Sequence, residues 1–256
     1  MTSDLQFERD GHVATIRFNR PQKLNAMTPE MADAMIDAVR QCNDAADVRC
    51  IVLTGSGKRA FCAGSDISEL DRYATPWDFR NRPEYCDALR ALRKPIIAAV
   101  NGYAFGGGLE MAMSCDIRVA SDSASFAAPE IKLGWIGGGG MVAHLTRSIG
   151  PSNAAKMVLT GDPIKADQAL QWGLVSDVWP GSDLQAKALE LARTIASRAP
   201  IAASTVKDNL RAAASMPLDE AVAYERDLQT ICFATEDAAE GREAFAEKRT
   251  PQFRGR

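Results

Sequence analysis

Apolar and polar residues alternate in LQFE and again in HVATIRFN, on either side of Asp10-Gly11. A period of two fits strands with one buried face, and Asp-Gly accepts the positive φ of a tight turn, so the chain is expected to open with a hairpin. The period then changes. Thr28-Pro29 has the form of an N-cap followed by proline at the first helical position, and Met31, Met35, Val39 and Cys42 come next at helical spacing. That predicts a helix to about Ala46 with one apolar face. CIVL at 50–53 and IIAAV at 96–100 are short unbroken apolar runs, as in strands buried on both faces. The first ends at Gly55 and leads into FCAGSD; the second runs into Asn101-Gly102 and Gly106-Gly107-Gly108. The polar stretch between them, 66–94, carries arginine and proline and is expected to be helical and mobile.

Strand, glycine turn and helix thus occur twice in the first half, at 50–70 and 96–115, with weaker strands expected at 117–120, 125–127 and 174–178. This alternation makes the fold class α/β. From Ser182 the texture changes. Ser182 and Gln185 stand at capping-box spacing, Leu184, Leu191 and Ile195 share a helical face, and Pro200, Pro217 and Thr235 each open a further helical stretch. A boundary is expected near Pro200, dividing a core at 1–199 from a helical region at 200–256.

Composition narrows the class. The 256 residues are 46% hydrophobic and 25% charged, which suits one large globular domain with or without a small appendage. Thirty basic against thirty-three acidic side chains leave a net charge of -3, so no strong field favours nucleic acid or an anionic membrane. The longest uncharged stretch, between Lys94 and Glu110, is too short and too broken by Asn101 and four glycines to span a membrane. The start, MTSDLQFERDG, lacks a basic region followed by an apolar core, so no signal peptide and a cytoplasmic location are expected. Six cysteines without a C-x-x-C pair read as reduced, mostly buried thiols. With only His12 and His144, a histidine-rich metal centre is ruled out.

Three motifs fail on inspection. GSGK at 55–58 would end a phosphate loop, but Val52 stands where the first glycine is required and Arg59 where Ser or Thr would hold magnesium. A dinucleotide fingerprint starting at Gly106 would need glycine where Met111 stands. Neither histidine accompanies a G-x-S-x-G elbow. What remains is two glycine-containing turns, Ala63-Gly64-Ser65-Asp66 and Gly106-Gly107-Gly108, each following a buried strand, together with Glu110 and Glu130. Two such turns side by side could aim two backbone N–H groups at one oxygen, an oxyanion hole, or could simply be close-packing turns. Each glutamate could by itself be a solvated charge.

FCAGSDI, KPIIAAVNGYAFGGGLEMAMSCDI and SFAAPEIKLGWIGGGG resemble the enoyl-CoA hydratase/isomerase (crotonase) family, and the resemblance runs from NRPQKLNAM to AFAEKRTPQFRGR. It implies a spiral of β-β-α units with C-terminal helices that drive trimerisation, to a homotrimer or a hexamer built as a dimer of trimers. It also implies an acyl-CoA thioester substrate and no cofactor beyond the CoA of that substrate. By motif match, Ser65 N–H and Gly107 N–H would hold the thioester oxygen. Glu110 would activate water, Glu130 would deliver a proton to the α carbon, and Gly138 N–H would steady Glu130. CoA contacts are implied for Lys23, Leu24, Ala26, Arg59, Ala63 and Asp66, with Phe245 and Lys248 reaching the CoA of a neighbouring subunit.

Hydration needs a base on the water and an acid at carbon, and like charges in a confined site push one carboxyl pKa upward. The leading expectation is therefore an enoyl-CoA hydratase. Carnitinyl-CoA dehydration, Δ3–Δ2 enoyl-CoA isomerisation and a non-catalytic acyl-CoA-binding protein are the alternatives. The match departs at Ala128, where many hydratases carry glutamine, so Glu110 is expected to lack an orienting hydrogen bond. Ser65 replaces a common alanine and Ser68 a lysine often found near CoA. MVAHLTR comes after the last glycine run in place of the commoner sequence, and Trp135 is either core or acyl-pocket wall. Arg80 and Arg82 could meet a polar acyl tail.

Overall fold

The computed structural model describes residues 4–256, so the first three residues of the stretch read for a signal lie outside the described part. The opening hairpin forms as its alternation requires. Strand β1 (Leu5–Asp10) pairs antiparallel with β2 (Val13–Phe18), Asp10 faces Val13, and Gly11 turns the chain at φ +56°. Helix α1 (Pro29–Asp44) starts at Thr28, whose hydroxyl accepts the Met31 N–H, and buries Met31, Met35, Ala38 and Cys42.

Three β-β-α turns come next. The first contains β3 (Cys50–Gly55) and β4 (Ala60–Cys62), then a 3-10 turn at Ile67–Arg72 and the short helices α2 (Pro76–Arg80) and α3 (Tyr85–Arg90). The second is β5 (Ile96–Val100), β6 (Tyr103–Phe105) and α4 (Gly107–Met113). The third is β7 (Ile117–Ser121), β8 (Ser125–Ala127) and a 3-10 turn at Pro129–Leu133, which α5 (Met141–Ile149) and α6 (Pro151–Thr160) extend. After them come β9 (Ile164–Lys165), α7 (Ala166–Trp172), β10 (Asp177–Trp179) and α8 (Leu184–Ala196). The chain closes with α9 (Pro200–Ala213), α10 (Leu218–Phe233) and α11 (Glu236–Glu247).

In each turn the first strand joins one sheet, ordered β1-β2-β3-β5-β7-β10, and the second joins another, ordered β4-β6-β8-β9. All pairings are parallel except β1–β2 and β8–β9. The spiral explains why β3 and β5 read as unbroken apolar runs: both faces are covered. Ile51, Leu53, Ile96 and Ala98 face the main core with α1, whereas Cys50, Val52, Ile97 and Ala99 face Leu184, Ala188, Ala192 and Ala196 of α8. The alanines on α8 bring its axis close to the sheet, and the side-chain period of two sends alternate residues to the two cores.

Local expectations are adjusted at three places. The stretch 66–94 is helical only in short pieces, each with its own start: Thr75 caps α2, with Pro76 in its first turn, and Glu84 caps α3. The strand expected at 174–178 begins at Asp177, because the N–H groups of Leu174 and Val175 return to the Ala169 carbonyl to close α7 around Gly173. No capping box opens α8. Its N-cap is Asp183, and the N–H groups of Asp183 and Leu184 already bond the Pro180 carbonyl, so Ser182 turns instead to the Asp183 carboxylate.

The helical stretches expected after Pro200, Pro217 and Thr235 are α9, α10 and α11. Lys207 fastens α9 to the spiral. Its ammonium is buried and donates to Asp116 Oδ2 at 2.8 Å and to the Lys94 carbonyl at 3.0 Å. Asp116 Oδ2 also accepts the Ile96 N–H. All six thiols are free and five are buried. Among the described residues no helix is long and apolar enough to cross a membrane.

Candidate active site

Strands β4, β6 and β8 are parallel neighbours, so their C-terminal ends open on one side of the small sheet. The segment just beyond each strand is a piece of the site: residues 63–66 after β4, 106–110 after β6 and 128–130 after β8.

The first turn needs glycine at 64, where φ is +96°. Met27 bridges to it: Met27 N–H donates to the Gly64 carbonyl and Asp66 N–H to the Met27 carbonyl, both at 2.8 Å. A parallel bridge of this kind uses the groups on either side of Ser65 and turns the Ser65 N–H the other way. The second turn needs glycine at 106, where φ is +54°. Gly107 N–H opens α4 and has no partner within the helix ladder. A Cβ on Gly64 would lie 3.1 Å from Gly107 N, so the two turns are in contact. A side chain on Gly108 would collide with the Cys62 carbonyl, and glycine there lets α4 sit directly on β4. The structure thus brings Ser65 and Gly107 together.

Glu110 lies one helical turn beyond Gly107 and is buried. Its Oε1 accepts the Gly139 N–H at 2.7 Å and the Met141 N–H at 3.2 Å. Cβ atoms on Gly137 or Gly139 would come within 2.6 and 2.8 Å of its carboxylate oxygens, so the glycine run forms a fitted cradle. The missing glutamine at 128 therefore does not leave Glu110 unoriented; backbone from 139–141 holds it. Gly138 lines the cleft but makes no hydrogen bond to Glu130, and the support expected from it falls one residue later, on the other glutamate. Glu130 sits in the 3-10 turn after Pro129, with Oε1 2.9 Å from where a Gly106 Cβ would be and Oε2 buried without a partner.

Both carboxyls line one cleft of about 700 Å³ with Ser65, Tyr85, Gly106 and Gly138. Burial pushes the Glu110 carboxyl up to about 7, against the pull of the Gly139 and Met141 N–H groups, with the Glu130 charge adding a further upward push. Burial also raises Glu130. Desolvation, more than like-charge repulsion, is what raises both carboxyls.

Ile67, Leu70, Phe79, Leu133, Trp135 and Ile136 supply apolar walls, which places Trp135 at the cleft and not in the core. Arg80 and Arg82 also reach it. Arg82 is committed to Glu84 and the Phe79 carbonyl, while Arg80 is exposed.

The loop at 20–27 packs on the first glycine turn through Ala63 N–H to the Leu24 carbonyl at 3.1 Å. Lys23, Leu24, Ala26, Ala63 and Asp66 are therefore neighbours, and Asp66 is tied to Arg20 at 3.2 Å and to Ser68. The loop's shape depends on Asn25, which went unnoticed in the sequence. It is buried at φ +57°, and its side chain donates to the Ser56 and Ala60 carbonyls. Asparagine tolerates this left-handed conformation better than most residues, which was the available signal. Arg59 is exposed just before β4 and is not part of the cleft wall. Phe245 and Lys248 lie exposed at the end of α11, and neither lines this chain's cleft. Tyr85, buried on α3, was also missed: its hydroxyl lies 3.2 Å from Ser65 Oγ.

The sequence matches the model of a family described as enoyl-CoA hydratase/isomerase over residues 8–256. A mitochondrial enoyl-CoA hydratase of Pongo abelii is 43% identical over 247 residues, covering 96% of this chain and 85% of that one. The 2,3-dehydroadipyl-CoA hydratase of Escherichia coli is 42% identical over 257 residues, covering 99% and 100%. The crystal structure of an enoyl-CoA hydratase from Bacillus anthracis superposes with a TM-score of 0.92 at 34% identity, covering 99% of this chain and all of that one.

Proposed function

Because the chain belongs to the enoyl-CoA hydratase/isomerase family, we propose that its cleft adds water reversibly across the 2,3 double bond of a 2-enoyl-CoA thioester. The observation that carries this reading is the pairing of two buried carboxyls, Glu110 and Glu130, beside two adjoining glycine turns in one cleft. The thioester oxygen sits between Ser65 N–H and Gly107 N–H. As hydroxide character builds at the β carbon, negative charge moves onto that oxygen, where each donor contributes roughly 3–4 kcal/mol. Glu110, fixed by Gly139 and Met141, takes a proton from the water, and Glu130 delivers one to the α carbon. Carboxyls and backbone donors suffice for this chemistry, which asks for no cofactor.

Isomerisation needs one principal carboxyl, so two converging on one cleft favour hydration or its reverse. CoA is held along Lys23, Leu24, Ala26, Ala63 and Asp66, with Arg59 toward its phosphates. Phe245, which is 88% exposed, and Lys248 complete the site of a neighbouring subunit in a trimer or dimer of trimers. Exposed Val206, Leu210, Ile231 and Phe233 on α9 and α10 supply apolar contact for that assembly.

The test is loss of the conjugated enoyl-thioester absorbance with crotonyl-CoA, beside Glu110→Gln and Glu130→Gln. Formation of 3-hydroxybutyryl-CoA that falls by orders of magnitude in both variants supports the reading. Binding without turnover in the unaltered protein removes short-chain hydration.

A further inference from the structure

Tyr85 is a bulky polar residue placed against both turns of the oxyanion site. It is buried and lines the cleft, and its hydroxyl lies 3.2 Å from Ser65 Oγ. The hydroxyl also packs on Gly107 so closely that a Cβ on Gly107 would collide with it. Tyr85 Oη thus touches both residues whose N–H groups are assigned to the thioester oxygen. Ser65 Oγ is its sole hydrogen-bond partner among the described residues.

A hydrogen count shows what this arrangement leaves over. Two hydroxyls carry two hydrogens, and one hydrogen bond between them uses one. The other hydrogen has no acceptor among the described residues, and both residues that could carry it line the cleft. When charge develops on the thioester oxygen, the phenol, far more acidic than an alcohol, is the better donor to it. Ser65 Oγ–H then donates to Tyr85 Oη. Burial raises the phenol well above its ordinary pKa, so it keeps its proton throughout the working pH range.

We propose, on the hydratase reading above, that Tyr85 Oη–H is a third donor to the thioester oxygen, backed by the Ser65 hydroxyl. Serine in the first turn then has a purpose that its backbone alone does not explain. Alanine would supply the same N–H but not the hydroxyl behind Tyr85.

The experiment compares unaltered protein, Tyr85→Phe, Ser65→Ala and the double variant on crotonyl-CoA. Phenylalanine keeps the ring in place, and thermal melts report whether each variant remains folded. A donor to a charged oxygen predicts that Tyr85→Phe lowers kcat about 10- to 100-fold with KM nearly unchanged. Ser65→Ala lowers kcat about 3-fold, since it only weakens a bond made by its neighbour. The double variant matches Tyr85→Phe alone, because the serine acts through the tyrosine.

A second readout needs no turnover. Cinnamoyl-CoA bound to a Glu110→Gln background absorbs at longer wavelength the more its carbonyl oxygen is polarised, and adding Tyr85→Phe should reverse part of that red shift. An unchanged spectrum and kcat, or a rise in KM alone, would show Tyr85 to be packing and overturn the proposal. Failure of the unaltered protein to hydrate any enoyl-CoA would instead overturn the hydratase reading.

Discussion

Glutamine at position 110 should make the protein inactive and more stable, by an amount that pH controls. The carboxyl moves from an ordinary 4.5 to about 7 on folding because it is buried. A carboxyl raised in the folded state binds its proton more tightly there than in the unfolded chain. Stability is therefore unaffected below about pH 4.5, declines as pH rises toward 7, and levels off above it. At about 1.4 kcal/mol per pKa unit the full loss is about 3 kcal/mol, of which about 1 has accrued by pH 5. Glutamine has nearly the same shape, and its amide oxygen can accept the same Gly139 and Met141 N–H groups, but it carries no charge to desolvate. Urea unfolding of both proteins near pH 5 and pH 8.5, at one protein concentration, should show the Glu110→Gln advantage widening by about 2.5 kcal/mol toward the alkaline end. An advantage that stays constant or shrinks with pH would mean that the two backbone donors outweigh burial, and the desolvation account of this site would be wrong.

The same shift predicts that kcat/KM for crotonyl-CoA rises through about pH 7 as Glu110 loses its proton to become a base; a pH–rate profile without that limb would contradict its role. Gly108→Ala would drive a Cβ into the Cys62 carbonyl, which is backbone and cannot swing aside, so a loss of about 3 kcal/mol is expected in chemical unfolding. Lys207→Met would leave the half-buried Asp116 beneath α9 without its cation. Because the Asp116 side chain keeps some solvent contact, the loss should be about 3 kcal/mol, near the low end for a broken buried pair, and read as a lower urea midpoint.

Much of this fold was legible because periodicity is a direct record of which faces are buried. The hairpin at Asp10-Gly11, helix α1 and the two-faced strands β3 and β5 can each be read from spacing alone. Boundaries were less legible where backbone hydrogen bonds decide them. Ser182 and Gln185 have capping-box spacing, yet the turn from Pro180 had already satisfied the donors such a box would serve. Glu110 and Glu130 stood out through their motif, but what holds Glu110 did not. Its partners are main-chain N–H groups 29 and 31 residues further on, and backbone leaves no mark in a sequence beyond the absence of side chains in the glycine run. Tyr85 was hidden for a different reason. It lies in a polar stretch of short helices, where nothing in the pattern indicates that one side chain turns inward to meet Ser65.

The spiral gives the two carboxyls different surroundings, and the difference supports the separate tasks proposed for them. Glu110 rides on α4 and is gripped at Oε1 by two N–H groups, so its orientation is fixed and Oε2 is left for the water of the proposed reaction. An oxygen held in this way suits a base, whose lone pair must point at one proton. Glu130 stands on a separate strand end, in the turn after β8, with Oε2 buried and unpartnered. A charged oxygen there has nothing to compensate its desolvation, so burial favours the protonated form that the proposed acid needs. Adjacent parallel strands lie about 5 Å apart, so β6 and β8 can deliver both groups to one substrate while different neighbours shape each. The same spacing puts the first glycine turn, after β4, on the other side of the second, and with it the donors proposed for the thioester oxygen. One repeated structural unit thus brings two glycine turns and two carboxyls to one cleft in strand order, the order of the proposed oxyanion donors, base and acid, and the turns differ there only in the few residues at the C-terminal end of each strand.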